Sequence, residues 1–442
     1  MSPHLVEVET RTALAAAPLT REMFQVVLKP NWVEDSHVRR PGYWEPVITD
    51  PSIILGVVSS LGQALPSGGR ITICDAPNTY VSFERVVARG GLDRSLRFVQ
   101  GSLRALTVEL LDLRREVWIT REHVVVERRP NPPDPRGYVA LGLGRHGMLF
   151  GHAGEGRYYG ADYDTAVVNA HHSGCVQEYL LSGTAVNADL FINLPKLKTH
   201  KKTGVTCCLK NLVGINGDKN WLPHYVEGPP SKGGDEFPDE TAARYVERRL
   251  KKAGQKLALA LPVAGTWAYR KARKAGEAVL GDSESVIRNG NWEGNDTCWR
   301  MALDLNRALL YGNPDGTLRE AGERKPYLAI VDGIIGGEGN GPLAPDPVKS
   351  NVIIIGTDPA AVDAVACKLM GFDPMMVPIV REAFAPHRWP IATCRMKEIE
   401  VQDDRVGRVI GLDEVQPAVP GGFRPHFGWP GLNPAKSGRS TS

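Results

Sequence analysis

Five short runs of aliphatic and β-branched residues, Phe24–Lys29, Arg70–Asp75, Leu190–Leu194, Tyr327–Asp332 and Val352–Gly356, each stop at a cluster of polar or turn-forming residues. Several of these runs are continuously apolar, the pattern of strands buried on both faces of a parallel sheet. Helical spacing of apolar residues fills Ser52–Leu65, a shorter piece covers Ser82–Ala88, and Val362–Met370 follows the run NVIIIGTDPAA directly. The alternation predicts an α/β fold, a mostly parallel sheet with flanking helices. Val124–Leu143, with VVVERR and YVALGL, reads instead as an inserted or edge antiparallel hairpin.

The pattern divides the chain of 442 residues into an α/β region over 1–213, a lid-like loop with a basic helical insertion over 214–311, a second α/β region over 312–416 that completes the core, and a tail over 417–442. Gly214–Glu240 is rich in Gly and Pro and is either disordered or a functional lid. Arg244–Lys274 carries ten Lys or Arg against one Glu, around the apolar centre LALALPVAGTWAY. The tail is rich in Pro, Gly and Ser and predicts disorder at its end, with Phe423, Phe427 and Trp429 available to dock on the body. Net charge is only +3, which argues against a dedicated nucleic-acid binder. The seven cysteines form no C-x-x-C pair, so reduced thiols in a cytoplasmic protein are expected. No signal peptide is expected from MSPHLVEVETRT, and Leu257–Ala264, the longest apolar stretch, is far too short to span a membrane.

Ligands of open α/β sheets bind beyond the carboxyl ends of the strands. The first run ends in Lys29 and Asn31, and the second in Asp75 and Asn78. The third ends in Lys196, Lys198, Thr199, His200, Lys201 and Lys202. The fourth ends in Asp332 and then a Gly-rich stretch around Glu338, and the fifth in Asp358, with Asp363 further on. In a parallel sheet these clusters share one crevice suited to an anionic substrate and proton transfer. His200, Lys198, Glu338 and Asp358 are then the catalytic candidates. Lys29, Asn31, Asp75, Lys196, Lys210, Asn211, Gly337 and Gly339 are the substrate-binding candidates. Asp332 and Asp363 are candidates for a divalent metal. Each has a plainer alternative. Lys29 suits a solvated strand end, Asp75 and Asp358 suit turns and helix caps, and Gly333–Gly341 suits a turn as well as a loop of anion-binding N–H groups.

The densest signal is PKLKTHKKTGVTCCLKNLVG, Pro195–Gly214, with five lysines and a histidine between Lys196 and Lys210. Apolar spacing after Thr203 predicts a helix, and helix N-termini attract anions. Cys207 and Cys208 read as packing in that helix. Gly142, Gly144 and Gly147 match a dinucleotide-binding spacing, but no amphipathic helix follows, so that function is set aside. His171 and His172 read as a loop pair. A further helix follows Gly294, with Asn295 or Asp296 as its cap and Arg300, Asp304 and Arg307 spaced for surface ion pairs.

On PKLKTHKKTGVTCCLKNLVG, DGIIGGEGNGP, GTDPAAVDAVACKLMGFDP, VVLKPNWV and the turn at Asp75, the chain resembles the domain-of-unknown-function-362 family, over roughly Phe24 to Pro374. The resemblance implies an α/β, enzyme-like domain without a settled reaction. Many relatives carry an added iron–sulfur ferredoxin module; the cysteines for one are missing here, so no iron–sulfur cluster is expected. The insert from GDKNWLPHY to GNWEGNDTCWRMALDLNR resembles a subset found beside surface-polysaccharide genes. A more distant likeness runs to the two-domain nickel-dependent lactate racemases, whose metal-pincer residues are not matched here.

Two functional expectations follow. One is an enzyme acting on an anionic carboxylate or phosphate compound, sugar-linked or not, by isomerisation, epimerisation or group transfer, with or without a divalent metal. The other is a non-enzymatic accessory protein of cell-surface polysaccharide assembly, held peripherally on an anionic membrane through 244–274.

Overall fold

The computed structural model describes residues 4–9, 24–65, 69–102, 106–121, 124–160, 165–250 except 243 and 247, 253, and 285–432. The basic, apolar-centred segment therefore lies largely outside the described residues, as do Leu257–Ala264 and the chain beyond Leu432.

A twelve-stranded mixed sheet organises the described residues. Its strands are β1 (His4–Glu9), β2 (Gln25–Pro30), β3 (Arg70–Asp75), β4 (Thr107–Asp112), β5 (Leu190–Leu194), β6 (Lys196–His200), β7 (Gly204–Val205), β8 (Tyr327–Asn340), β9 (Ala344–Val348), β10 (Val352–Gly356), β11 (Glu400–Asp403) and β12 (Arg408–Gly411). The order across the sheet is β12-β11-β1-β10-β8-β5-β2-β3-β4. The block from β8 to β4 is parallel, with Phe191 opposite Tyr327, Leu190 opposite Val26 and Gln25 opposite Arg70. β6 continues where β5 stops at Pro195 and also runs parallel to β8, Lys196 opposite Asp332.

Side-chain alternation splits the apolar residues between two faces. Val26, Leu28, Ile71, Ile73, Ile192 and Leu194 pack with helix α1 (Pro51–Ala64) and helix α2 (Leu92–Ser102). Val27, Cys74, Phe191, Ala329 and Val331 pack on the other face with α3 (Cys207–Asn211), α4 (Cys298–Tyr311) and α5 (Pro359–Leu369). Asp50 caps α1, accepting from Ser52 N at 2.8 Å, with Pro51 at the first helical position.

Three sequence expectations change. Val352–Gly356 is a strand, but β10 runs antiparallel to β8, with Ala329 opposite Gly356. Its carboxyl end therefore faces the opposite sheet edge from Lys29, Asp75 and Lys196. The strand beginning at Tyr327 does not stop at Asp332; it runs through Asn340 and folds back on β9. The two halves of Val124–Leu143 do not pair together: Val124–Pro130 pairs with Glu116–Arg121, and Tyr138–Gly142 with Val176–Ser182. Gly144–His146 is a single 3-10 turn, so no dinucleotide-binding helix follows the G-x-G spacing.

Gly214–Glu240 is folded, with 3-10 turns and a two-residue strand, Tyr225–Val226, against Tyr158–Tyr159. The tail is ordered through Leu432: Phe423 and Trp429 are buried and Phe427 is exposed. Among the described residues, no helix is long and apolar enough to cross a membrane.

Candidate anion site at the carboxyl edge of the sheet

The loops after β2, β3 and β6 and the segment after α3 meet at the carboxyl edge of the parallel block. Lys29 pairs with Asp75 at 2.8 Å, both buried. The other Asp75 oxygen accepts from Trp32 N at 2.7 Å. Asn211, on α3, ties β2 and β5 together here. Its Oδ1 accepts from Asn31 Nδ2 at 2.7 Å and its Nδ2 donates to Asn193 Oδ1 at 2.7 Å. Gly214 closes over this network. A Cβ there would lie 1.9 Å from Asp75 Oδ1 and 2.7 Å from Lys29 Nζ, so only glycine allows the approach.

Lys196, Lys198 and His200 alternate onto one face of β6. Lys196 pairs with Asp332 at 2.7 Å, fully buried. The Asp332 oxygens also accept from Asp50 N at 2.7 Å and Ile334 N at 3.2 Å. Among the described residues Lys198 has no carboxylate partner. It donates to the carbonyls of Val47 and Pro342, and burial together with Lys196 and Lys29 holds its ammonium well below the usual lysine range.

Beyond β6 the cations gather. Lys202 donates to Asn289 O, its ammonium 4.7 Å from the centre of the Tyr225 ring. Lys219 donates to Val213 O at 3.1 Å. Lys210, on α3, is 7% exposed and meets no hydrogen-bond or ion-pair partner among the described residues. Removal from water lowers all three, Lys202 to about 8 and Lys219 to about 7. Two histidines stand among them. His200 Nδ1 accepts from Lys202 N at 3.1 Å, so its proton sits on Nε2. His224 donates from Nδ1 to Leu222 O at 2.8 Å. Burial first, and the lysines second, hold both rings well below the ordinary histidine value and therefore neutral. The second ring nitrogen of each has no partner among the described residues.

Of the residues expected at the site, Lys29, Asn31, Asp75, Lys196, Lys198, His200, Lys210, Asn211 and Asp332 lie along this edge. Asp358 does not. It caps α5 through Ala360 N and Ala361 N, and its second oxygen accepts from Thr393 N and Oγ1, so the capping alternative accounts for both oxygens. Asp363 accepts from Cys208 N at 2.7 Å and Leu209 N at 3.0 Å, which caps α3 and fixes Lys210 and Asn211. Glu338 accepts from Arg424 N at 2.7 Å, on the β8–β9 arm. Gly337 and Gly339 belong to that arm, their backbone paired with Pro347 and Pro345, so the stretch is a ladder rather than an anion-binding loop. No group of three His, Cys, Asp or Glu among the described residues is placed to hold a metal ion.

Sequence reasoning left out Lys219 and His224, and placed Lys202 in the lysine cluster without giving it a role. For Lys202 the count of basic residues was the available signal. Lys219 and His224, both half-buried, lie in the Gly/Pro-rich segment, where no periodicity marks an inward-facing side chain. Asp304 and Arg307, spaced for a surface pair, are instead buried, 3.5 Å apart.

No curated protein and no solved structure matches the chain. The family model described as Domain of unknown function (DUF362) matches residues 148–368, half of the chain. The match takes in β6, α3 and the segment carrying Lys219 and His224, while Lys29 and Asp75 lie ahead of it. The protein belongs to the DUF362 family.

Proposed function

We propose that this protein binds an anionic small molecule, a phosphate or carboxylate compound, at the lysine–histidine cluster and performs acid–base chemistry on it. The observation that carries this reading is Lys210, a nine-tenths buried lysine whose ammonium has no partner among the described residues, in a cluster with Lys202 and Lys219, whose ammoniums bond only backbone carbonyls. An unpaired buried cation costs several kcal/mol, of order, and a bound anion removes that cost. Lys198, with its depressed basicity, suits a general base, and the Nε2–H of neutral His200 suits a donor to negative charge developing on the substrate. Proton abstraction beside a carbonyl and group transfer both use such a pair.

Thermal denaturation against inorganic phosphate and 2-hydroxy acids tests the reading, because a ligand of the native state raises the Tm with its concentration. The expected result is a rise with at least one anion that Lys210→Met abolishes. A rise that survives unchanged in Lys210→Met would place the anion elsewhere.

A further inference from the structure

Three side-chain amides form a directed chain at the carboxyl edge, and its first link settles the rest. Asn193 Nδ2 donates to Cys208 O at 3.0 Å and to the Tyr327 hydroxyl at 2.8 Å. A backbone carbonyl only accepts, so the atom facing it is the nitrogen and Asn193 Oδ1 is left as an acceptor. Asn211 Nδ2 donates to that oxygen at 2.7 Å and to Lys29 O at 3.2 Å. Asn211 Oδ1 is thereby fixed as an acceptor too, and it receives Asn31 Nδ2 at 2.7 Å and Lys29 Nζ at 3.3 Å. Asn31 therefore cannot be turned over: its nitrogen is committed to Asn211, and its Oδ1 lies on the other side of the amide. The backbone beneath is equally fixed, Asn31 N donating to Thr49 Oγ1 at 2.8 Å and Asn31 O accepting from Thr49 N at 3.2 Å. Asn31 is 6% exposed, and its Oδ1 has no hydrogen-bond partner among the described residues.

Buried side-chain acceptors in folded proteins nearly always meet a donor, yet this chain of satisfied amides ends on one that does not. It ends beside the anion site, because Asn211, which binds Asn31, directly follows Lys210 on α3. The deprotonated oxygens of a carboxylate or phosphate offer only lone pairs, so the charged part of a ligand cannot satisfy Asn31 Oδ1. A cationic donor would stand close to Lys29 Nζ, which shares the Asn211 oxygen. A hydroxyl supplies the missing proton without adding charge. Resting on the anion-binding reading, we infer that Asn31 sets the substrate class: the ligand is a hydroxylated anion, whose hydroxyl donates to Asn31 Oδ1 while its charged group meets Lys210.

Titration calorimetry on the whole chain compares two matched pairs at one ionic strength, lactate with propionate and 2-hydroxyethyl phosphate with ethyl phosphate. The members of a pair differ only in the hydroxyl, and the pair that binds tells a carboxylate from a phosphate ligand. In that pair the hydroxylated member is expected to bind about tenfold tighter, since a site built around a hydroxyl rejects the analogue without it. Asn31→Leu and Asn31→Ala are each expected to narrow the difference to within about twofold. Equal binding within each pair by the parent protein, a comparison that needs no variant to fold, would overturn the hydroxyl inference and leave the anion site standing. A preference that persists in both Asn31 variants would overturn the assignment to Asn31. Binding of none of the four would remove both readings.

Discussion

At the scale of single residues, Lys210 bears most directly on function. Lys210 is largely buried as a residue and has no counter-charge among the described residues, so Lys210→Met removes a desolvation penalty and breaks no described hydrogen bond or ion pair. The variant is expected to melt at the same temperature as the parent or higher, while losing the stabilisation by anions; a clear drop in its ligand-free Tm would show that Lys210 has a structural partner. Lys202 and Lys219 give a pH signature. Their folded-state values, about 8 and about 7, lie below the ordinary lysine value near 10.4, so the unfolded chain binds more protons across that interval. Lys219 faces Asp75, Lys29, Lys210 and Arg114, and Lys202 faces Lys201, Lys210, Asp235 and Cys298. Stability from these groups therefore rises as pH climbs from about 7 towards 10, and anion affinity falls over the same range. Urea titrations at pH 7 and pH 9 would show a higher midpoint at pH 9 in the parent and a smaller difference in Lys219→Met. Lys29, Asn31, Asp75, Lys196 and Lys198 were legible because each sits at or just past the end of an apolar run. Lys219 and His224 were not, because their partial burial comes from a loop folding over the edge, which leaves no periodic trace.

At the scale of elements, α3 is only five residues long and depends on a side chain from another helix. Asp363 reaches across from α5 to bond the N–H groups of Cys208 and Leu209. Asp363→Asn leaves one of those donors facing an amide nitrogen. The expected cost is about 1–3 kcal/mol, measured by chemical denaturation, with anion affinity falling as Lys210 and Asn211 lose their fixed position. Gly214→Ala tests the same region from the other side. Its added methyl cannot coexist with the Lys29–Asp75 pair, so a variant as stable as the parent would contradict the close packing over β2 and β3. The strands Arg70–Asp75, Leu190–Leu194 and Val352–Gly356 were readable to the residue, because a buried strand is written as a run of apolar residues. The direction of β10 was not. A strand has the same composition whichever way it runs, and only its pairing with β8 reveals that Asp358 belongs to the far edge.

At the scale of the whole molecule, the tail acts as a strap. Trp429 is buried against Gly204 and donates from its indole to Lys201 O at 2.9 Å, while Arg424 bonds Glu338 and Asp346 on the β8–β9 arm. Trp429→Ala is expected to cost about 3–5 kcal/mol, read as a lowered denaturation midpoint, because it opens a cavity beside the turn that bears Lys201 and Lys202. Phe423 and Trp429, two of the three aromatic residues expected to dock, are buried, while the end of the tail, where disorder was expected, lies outside the described residues. The sheet itself joins the most distant parts of the chain. β1, near the N-terminus, has β10 and β11 as its neighbours, with His4 opposite Val352 and Glu9 opposite Glu400. On a ribosome adding roughly 5–20 residues per second, β1 emerges tens of seconds before either neighbour exists. Through that interval its N–H and C=O groups remain open to any passing strand. Synthesis of this protein therefore carries a built-in waiting period in which a chaperone, or simple dilution of nascent chains, decides whether the first strand finds its own partners or those of another copy.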